Sequence, residues 1–299
     1  MVTPKKRSRM RIGFIGAGTV ATALAIHLHS KGYPITSVAS RSFASAKALS
    51  DAVPGCTATM DQEEVLKEAS IIFLTVPDDA IRDTANNLEW GAQHMVAHCS
   101  GSLGLDVLDG PRRLAAQIGV LHPFQTFSSS ANAGENFSGS TFAVEAGEPF
   151  LGILKGFITD FGGVAVDLSD KNHALYHLSG VIASNYLVTL VNIAIELWKT
   201  SGLTEEEALP AVLPLMRNTL ANLEANGIPQ SLTGPISRGD IDTVEKHLAK
   251  LQETRPDLLP LYGQLGLDTV RISTKKNQAT EESLNKIRTI LKKSIVEER

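Results

Sequence analysis

The sequence predicts an α/β domain with a doubly wound parallel sheet, followed by an all-α domain. From residue 11 to about 168, short β-rich runs alternate with helical stretches. The run at 71–76, IIFLTV, is almost entirely apolar, which is typical of a parallel strand covered on both faces. From residue 170 onward the pattern is helical, with almost no strand signal. A chain of 299 residues suffices for two domains, which we place at 1–168 and 169–299.

Seven strand candidates define the first domain. They lie at 11–15, 35–40, 71–76, 95–99, 118–121, 141–145 and 164–168. Several of the intervening segments are long enough to form crossover helices, as parallel strands require. Because ligands of open α/β sheets bind at the carboxyl ends of the strands, functional residues are expected just after these runs.

Capping signals define the helical domain. Asp170 is expected to cap one long helix that runs to about Thr200, and Gly202 is expected to end it. Thr204 and Glu207 have capping-box spacing and predict the start of the next helix. Further helices are predicted at 240–253, 256–272 and 280–296, and 227–239 reads as a Pro/Gly-rich loop.

Composition and charge exclude several functions. Hydrophobic residues make up 43% and charged residues 20%, as in soluble globular proteins. The net charge of −4 gives no reason to expect nucleic acid, and the basic segment 5–11 reads as a solvated tail. The two cysteines, Cys56 and Cys99, lack CxxC spacing, which fits a reducing cytoplasm and predicts no metal site.

A dinucleotide fingerprint follows the first strand. Residues 16–21 read G-A-G-T-V-A between an apolar strand and an Ala-rich helix, which predicts a Rossmann-like domain and argues against a secretory signal. Gly16 permits the tight turn, Gly18 lets the backbone approach a pyrophosphate, and a small residue at 21 lets the helix pack on the strand. The predicted cofactor-binding residues here are Gly16, Ala17, Gly18, Thr19 and Val20.

Two further segments are expected to border the cofactor. After the second strand, where NAD sites usually carry an acid, the chain has Ser40, Arg41 and Ser42, and these donors suit the 2′-phosphate of NADP. The alternative is that Arg41 is only a solvated residue at a strand end. The third predicted strand runs into Thr75, Val76 and Pro77. The Asp78 that follows borders the cofactor, caps the next helix, or does both.

Motifs along nearly the whole chain, about residues 10–275, resemble a known family. They are IGFIGAGTVATAL (12–24), FLTVPDDAI (73–81), HCSGS (98–102), GVLHPFQTF (119–127), KNHALYHLSGVIASNYLV (171–188) and LTGPISRGD (232–240). The chain resembles oxidoreductases that join a Rossmann-like domain to a DUF2520 domain, relatives of the 6-phosphogluconate dehydrogenase, ketopantoate reductase and pyrroline-5-carboxylate reductase group. The resemblance implies NADP as cofactor and a helical domain of the 6-phosphogluconate dehydrogenase C-terminal-like kind. It also implies a homodimer formed through that domain.

One departure from the better known relatives bears on the chemistry. The β-hydroxyacid dehydrogenases carry a helical Lys followed about four residues later by Asn. Here Leu175 stands four residues after Lys171, and Asn185 lies about 21 Å further along a straight helix at about 1.5 Å per residue. Lys171 and Asn185 therefore remain separate candidates and not an adjacent catalytic pair.

Candidate catalytic residues follow two strands and lie on the predicted long helix. Ser100 is a hydrogen-bond donor for a carbonyl, unless its hydroxyl is satisfied within its own turn. His122 is an acid or a substrate-orienting group, with a structural role as the alternative. His177 is the preferred proton donor, and helical spacing puts His173, His177, Gly180 and Ser184 on one face.

Substrate binding is assigned to Tyr176 and Ser184, with helix packing as the alternative, and to Arg238. The Arg238 guanidinium suits a carboxylate, but it can equally pair with Asp240. The HxxxH spacing of the helix has no third ligand, so a metal site is not expected.

The sequence thus predicts a cytoplasmic NADP-dependent oxidoreductase of a small molecule, with neither a nucleic-acid nor a membrane partner. The leading substrate is a 2-oxo acid such as ketopantoate, bound between the domains. A cyclic imine such as pyrroline-5-carboxylate is the alternative, and a non-catalytic NADP-binding sensor is the competing class. A cationic imine predicts an acidic or carbonyl-lined pocket, whereas a 2-oxo acid predicts a His or Lys directed at the carbonyl.

Overall fold

A computed structural model describes residues 7–127, 137–169 and 171–296, and the chain divides into two compact units, Met1–Leu187 and Val188–Arg299. This division falls later than the predicted junction between residues 168 and 169. The reason is that the helix His173–Gly180 belongs to the first unit, where His173 bonds to Glu145 and Tyr176 bonds to His122.

One eight-stranded sheet forms the centre of the first unit. Its strands are β1 (Ile12–Ile15), β2 (Ile35–Ala39), β3 (Thr57–Thr59), β4 (Ile71–Leu74), β5 (Met95–His98), β6 (Gln117–Phe124), β7 (Thr141–Ala146) and β8 (Val164–Asp167). The order is β3-β2-β1-β4-β5-β6-β7-β8, parallel from β3 to β6, with β7 antiparallel to β6 and parallel to β8. The seven predicted strands are present. The added strand, β3, escaped prediction because its three residues, TAT, carry no hydrophobic pattern.

Helices on both faces bury the central strands. The helices of this unit are α1 (Thr19–Ser30), α2 (Phe43–Ala52), α3 (Gln62–Glu68), α4 (Asp78–Asn86), α5 (Asp109–Arg113), α6 (Phe150–Phe161) and α7 (His173–Gly180). Alternate residues of β4 enter different cores, because Phe73 packs in one hydrophobic cluster and Leu74 in the other. The first unit is therefore the predicted doubly wound α/β domain, with its switch point between β1 and β4.

The predicted long helix is present as the continuous run His173–Thr200, with an irregularity inside it. A π-helical turn, Val181–Asn185, separates α7 from α8 (Tyr186–Thr200). Asp170, the predicted cap, lies outside the described residues, and the side chain of Asn172 accepts a hydrogen bond from the Leu175 backbone at the start of α7. A π turn adds about one residue per turn and rotates everything after it around the helix axis.

The second unit is helical, as predicted. Its helices beyond α8 are α9 (Glu205–Ser231), α10 (Pro235–Arg238), α11 (Ile241–Thr254), α12 (Leu259–Lys276) and α13 (Glu281–Val296). Thr204 and Glu207 form the predicted capping box. The segment 227–239 is not wholly a loop, because α9 continues past a kink at Gly227 and α10 follows. The core contains Val244, Val270 and Ile287.

The segment His173–Thr200 is long and apolar enough to cross a membrane, with a mean hydropathy of 1.7, yet only 6% of its most apolar window is buried. In a single copy of the chain this segment is therefore largely exposed. Its large exposed side chains are Leu175, Leu178, Ile182, Tyr186, Val188, Leu190 and Trp198.

The described end of the basic segment 5–11 is not a solvated tail. The Arg7 guanidinium donates to Asp160 at 2.6 Å, and the Tyr33 hydroxyl donates to the other carboxylate oxygen, also at 2.6 Å. The Asp160 side chain is only 6% exposed, so this ion pair fixes the start of the described chain to α6.

Candidate active site

The first pocket lies at the carboxyl ends of β1, β2 and β4 and has a volume of about 480 Å³. Its lining includes ten of the eleven predicted cofactor-binding residues: Gly16, Ala17, Gly18, Thr19, Val20, Ser40, Arg41, Thr75, Val76 and Pro77. The exception is Ser42, whose side chain accepts a hydrogen bond from the Ser45 backbone and caps α2. Ser45 and Gln62 also line the pocket and were not predicted.

The two fingerprint glycines have different structural roles. Gly16 has a φ of +107°, and a Cβ there would lie 2.5 Å from the backbone carbon of Thr75, so only glycine fits. A Cβ at Gly18 would meet no protein atom within 4 Å. Because Gly18 lines the pocket at the start of α1, that open space lies where a phosphate would approach.

The charges around this pocket suit a phosphorylated dinucleotide. The first turn of α1 has no acidic residue, and its cap residue, Gly18, has no side chain that could occupy the end of the helix. The helix end therefore suits the pyrophosphate. Arg41 is exposed, lines the pocket and forms no ion pair with any other described residue. NADP therefore fits this pocket, with Arg41 as the natural partner of the 2′-phosphate.

Thr75 and Asp78 tie the strand ends together. The Thr75 hydroxyl donates to the carbonyls of Ile15 and Gly16, at 3.2 and 2.9 Å, so it fixes the end of β1. Asp78 is the first residue of α4 and does not cap it, since the cap position is Pro77.

The Asp78 carboxylate instead accepts hydrogen bonds from Ser100 at 2.7 Å and Ser102 at 2.9 Å. Ser100 is buried, and its hydroxyl proton is directed at Asp78. Its predicted role as a donor to a substrate carbonyl is therefore not supported by the geometry. The Asp78 carboxylate holds the turn after β5 against the start of α4.

A second pocket, of about 200 Å³, lies between the end of β6 and the π turn, entirely within the first unit. It brings together four of the predicted residues, His122, His177, Ser184 and Asn185. The other lining residues are Phe124, Gln125, Thr126, Gly180, Val181 and Ala183. The first three were not predicted, although they belong to the quoted motif GVLHPFQTF.

His122 contacts two other side chains at this pocket. Its Nδ1 lies 3.0 Å from the Tyr176 hydroxyl, and its ring is 6.3 Å from that of His177. Burial, reinforced by the nearby His177, lowers the pKa of His122 to about 4, so the imidazole is neutral at pH 7. The predicted role of acid is therefore less favourable for His122 than that of a neutral orienting group.

Glycines let the two walls of the pocket approach each other. A Cβ at Gly180 would lie 2.8 Å from the Phe124 ring, and a Cβ at Gly101 would lie 2.7 Å from His122 Nε2. Tyr176 packs its ring 5.1 Å from that of Phe124. Tyr176 thus contacts the site through His122 and Phe124 and is not itself among the lining residues.

Three other predicted residues lie elsewhere. His173 bonds to Glu145 at 2.9 Å and does not share the pocket with His177, Gly180 and Ser184. Lys171 is exposed, lines neither pocket, and forms no ion pair with the described residues. Arg238 belongs to the second unit, is largely exposed, and lies 3.9 Å from Asp240, the alternative partner considered from sequence.

No group of three or more His, Cys, Asp or Glu side chains suited to a metal ion occurs among the residues that the structure describes.

Comparisons with known proteins match two regions of the chain. Residues 11–98 match the family described as NADP oxidoreductase, coenzyme F420-dependent, and residues 140–269 match DUF2520, a domain of unknown function. Glycerol-3-phosphate dehydrogenase [NAD(P)+] of Thermus thermophilus is 40% identical over 91 residues, which cover 26% of this chain. The chain spans only 28% of the length of that curated relative.

Solved structures extend the likeness over most of the chain. BF3122 from Bacteroides fragilis, provisionally assigned as an NADP oxidoreductase, has a TM-score of 0.72 and 27% identity and covers 89% of this chain and 98% of its own. TM1727 from Thermotoga maritima has a TM-score of 0.67 and 28% identity, and the match covers 82% of this chain and 92% of TM1727. A reductive aminase from Aspergillus terreus, in complex with NADPH and ethyl-5-oxohexanoate, shares the fold, with a TM-score of 0.62 and 16% identity over 97% and 95%.

These matches confirm the resemblance and the fold predicted from the motifs. The family matched by residues 11–98 and the neighbour BF3122 are both described as NADP oxidoreductases, in agreement with the predicted enzyme class and cofactor. The chain is similar to NADP oxidoreductases in its first region and to DUF2520 in its second.

Proposed function

We propose that this chain uses NADPH to reduce the carbonyl of a small 2-oxo acid, of which ketopantoate is one example. The observation that carries the proposal is that one sheet edge in one compact unit holds both a dinucleotide pocket and a small polar pocket. When bound, NADPH supplies a hydride to the carbonyl carbon, and a proton on the oxygen completes the alcohol. The protein then has to hold the substrate and supply that proton.

The lining of the second pocket favours a carbonyl over a cationic imine. Described residues of this pocket include two histidines, a serine and two amides, and no carboxylate. The Asp78 carboxylate already accepts from Ser100 and Ser102. A protonated imine needs a nearby acceptor or negative charge, whereas a carbonyl oxygen needs donors. A volume of about 200 Å³ suits a small metabolite.

We assign roles by exposure and position. His177 is exposed and lines the pocket, so it can exchange a proton with solvent and deliver it to the substrate oxygen. Ser184 and Asn185 lie on the π turn and hold the substrate.

The test is NADPH oxidation followed by absorbance, with a panel of 2-oxo acids and cyclic imines and with NADH in parallel. The proposal predicts turnover of a 2-oxo acid with NADPH and little turnover with NADH. Turnover of cyclic imines alone would replace the carbonyl assignment. NADPH binding without reduction of any compound in the panel would favour the sensor alternative.

The exposed apolar helices support a homodimer. Soluble monomers rarely expose contiguous apolar patches of this kind, and the segment His173–Thr200 exposes seven large apolar side chains. Asn185, Asn192 and Glu196 in the same segment would be costly in lipid, so we assign the patch to a second copy of the chain in the cytoplasm and not to a membrane.

Light scattering on purified protein without detergent tests this assignment. A mass of about 64 kDa, twice the 32.0 kDa of the chain, is expected, and a well-behaved monomer would contradict it.

A further inference from the structure

His122 has one ring nitrogen that is paired and one that is not. Nδ1 lies 3.0 Å from the Tyr176 hydroxyl. Nε2 has no hydrogen-bond partner among the described residues, yet it is not fully buried. Nε2 is therefore accessible, and His122 is one of the residues that line the second pocket. Glycine at position 101 keeps room beside it, because a Cβ there would lie 2.7 Å from Nε2.

The chemistry of the Tyr176 contact determines which nitrogen carries the proton. A neutral imidazole holds one N–H and one lone pair, and the hydrogen bond made by one nitrogen sets the state of the other. A phenol is the better donor, and an imidazole nitrogen is a far stronger acceptor than a phenol oxygen. The favourable arrangement is therefore Tyr176 O–H donating to Nδ1, which leaves the His122 proton on Nε2.

Burial keeps both partners neutral. It lowers the pKa of His122 to about 4 and raises the pKa of the Tyr176 hydroxyl above its ordinary value. The charged or titratable side chains around His122 are Tyr176, His177, His98, His173 and Asp78. Of these, only Asp78 favours the imidazolium form, and burial outweighs it.

We propose that Tyr176 is a positioning residue that holds His122 in its Nε2–H tautomer, so that His122 presents a neutral N–H donor to the substrate oxygen. This inference rests on the proposed function for its substrate, and it sharpens the substrate class. A neutral N–H donor stabilises a carbonyl oxygen, on which negative charge develops during reduction. It has nothing to offer an iminium N–H, which is itself a donor.

The direct test reads the tautomer without any substrate. Protein labelled with ¹⁵N-histidine gives the protonation state of both ring nitrogens by NMR, and the His122 signals are those that disappear in His122→Gln. The wild-type protein should show one tautomer, protonated at Nε2, at pH 7. In Tyr176→Phe, which keeps the ring that packs on Phe124, both tautomers should be populated. Tyr186→Phe removes an exposed hydroxyl outside the pocket and should leave the spectrum unchanged.

A wild-type tautomer protonated at Nδ1, or an unchanged tautomer in Tyr176→Phe, would overturn the inference. A kinetic measurement distinguishes a failure of this inference from a failure of the proposed function. Tyr176→Phe should lower kcat/KM for the carbonyl substrate roughly 5- to 10-fold, the equivalent of one ordinary hydrogen bond, with NADPH affinity unchanged. If the tautomer result holds and no carbonyl is reduced, the proposed function fails and the role of Tyr176 in fixing the ring stands. If reduction occurs and Tyr176→Phe has no effect on it, the catalytic use of that ring fails.

Discussion

The dinucleotide pocket takes its shape from backbone, whereas the second pocket takes its shape from side chains. In the first, a glycine at φ +107° and the start of α1 form the binding surface, and Arg41 is the main charged addition. In the second, Tyr176 on α7 contacts both His122 and Phe124 on β6. A backbone site depends on a few adjacent residues and can be predicted from a short motif. A side-chain site depends on register across distant elements.

The largest expected effect is that of Gly16→Ala, which tests the backbone pocket. The added methyl would combine a disfavoured positive φ with a 2.5 Å contact to the Thr75 backbone. We expect a loss of roughly 2–5 kcal/mol in the free energy of unfolding, measured by denaturant titration. The matched variant, Gly18→Ala, should unfold like wild type and lose NADPH affinity, since its methyl enters only the pocket. Equal unfolding curves for both variants would contradict this division of roles.

His122→Asn tests the side-chain pocket and is expected to have the next largest effect. Asn places a polar group near the Nδ1 position and removes the donor at Nε2, so kcat/KM for reduction should fall roughly 10²- to 10³-fold. NADPH affinity, measured by fluorescence titration, should be unchanged because His122 does not line the first pocket. His122→Gln, whose amide reaches the Nε2 position, should retain more activity than His122→Asn. The reverse order would point to the Nδ1 side of the ring.

Arg41→Ala measures the one charged contact of the backbone pocket. A hydrogen bond to a charged group contributes about 1.5–3 kcal/mol, so KM for NADPH should rise roughly 10- to 150-fold. KM for NADH should change little, which makes NADH the internal control. A parallel loss with both cofactors would mean that Arg41 supports the pocket in general and does not recognise the 2′-phosphate.

The last expected effect is absent at neutral pH and develops only in acid, where stability depends on the buried histidines. Burial lowers the pKa of both His98 and His122 from 6.5 to about 4, so the unfolded chain binds protons before the folded one does. Their contribution to stability is complete above about pH 6.5 and is lost as pH falls to about 4, at about 1.4 kcal/mol per pH unit for each histidine. Urea titrations at several pH values in that range give the free energy of unfolding as a function of pH. This free energy should fall less steeply with decreasing pH in His122→Gln than in wild type. An identical slope would mean that His122 is not held neutral.

Sequence reasoning was strong for the fold and for the backbone pocket. The fingerprint at residues 16–21 lies directly between an apolar strand and a helix, and strand 71–76 is apolar on both faces. Local sequence pattern alone therefore predicts the doubly wound sheet. Ser42 was misassigned because a hydroxyl at that spacing suits a phosphate and a helix cap equally well. The three-residue strand β3 has no hydrophobic signal and was missed.

The second pocket could be predicted only in part. His122 and His177 were identified from residue type, and helical spacing correctly grouped His177, Gly180 and Ser184. His173, one turn earlier on α7, bonds to Glu145 and does not line the pocket. The pairing of Ser100 with Asp78 joins the turn after β5 to the start of the helix after β4, and a single sequence gives no signal of it. The Tyr176–His122 contact is of the same kind.

The central claim is that the two pockets at this sheet edge form one active site, and a crystal structure of the NADP⁺ complex tests it most directly. The account predicts the 2′-phosphate beside Arg41, the pyrophosphate over the start of α1, and the nicotinamide ring on the β4–β6 side, facing the pocket of His122 and Ser184. A nicotinamide directed away from β6, or a cofactor bound outside the glycine turn, would contradict it.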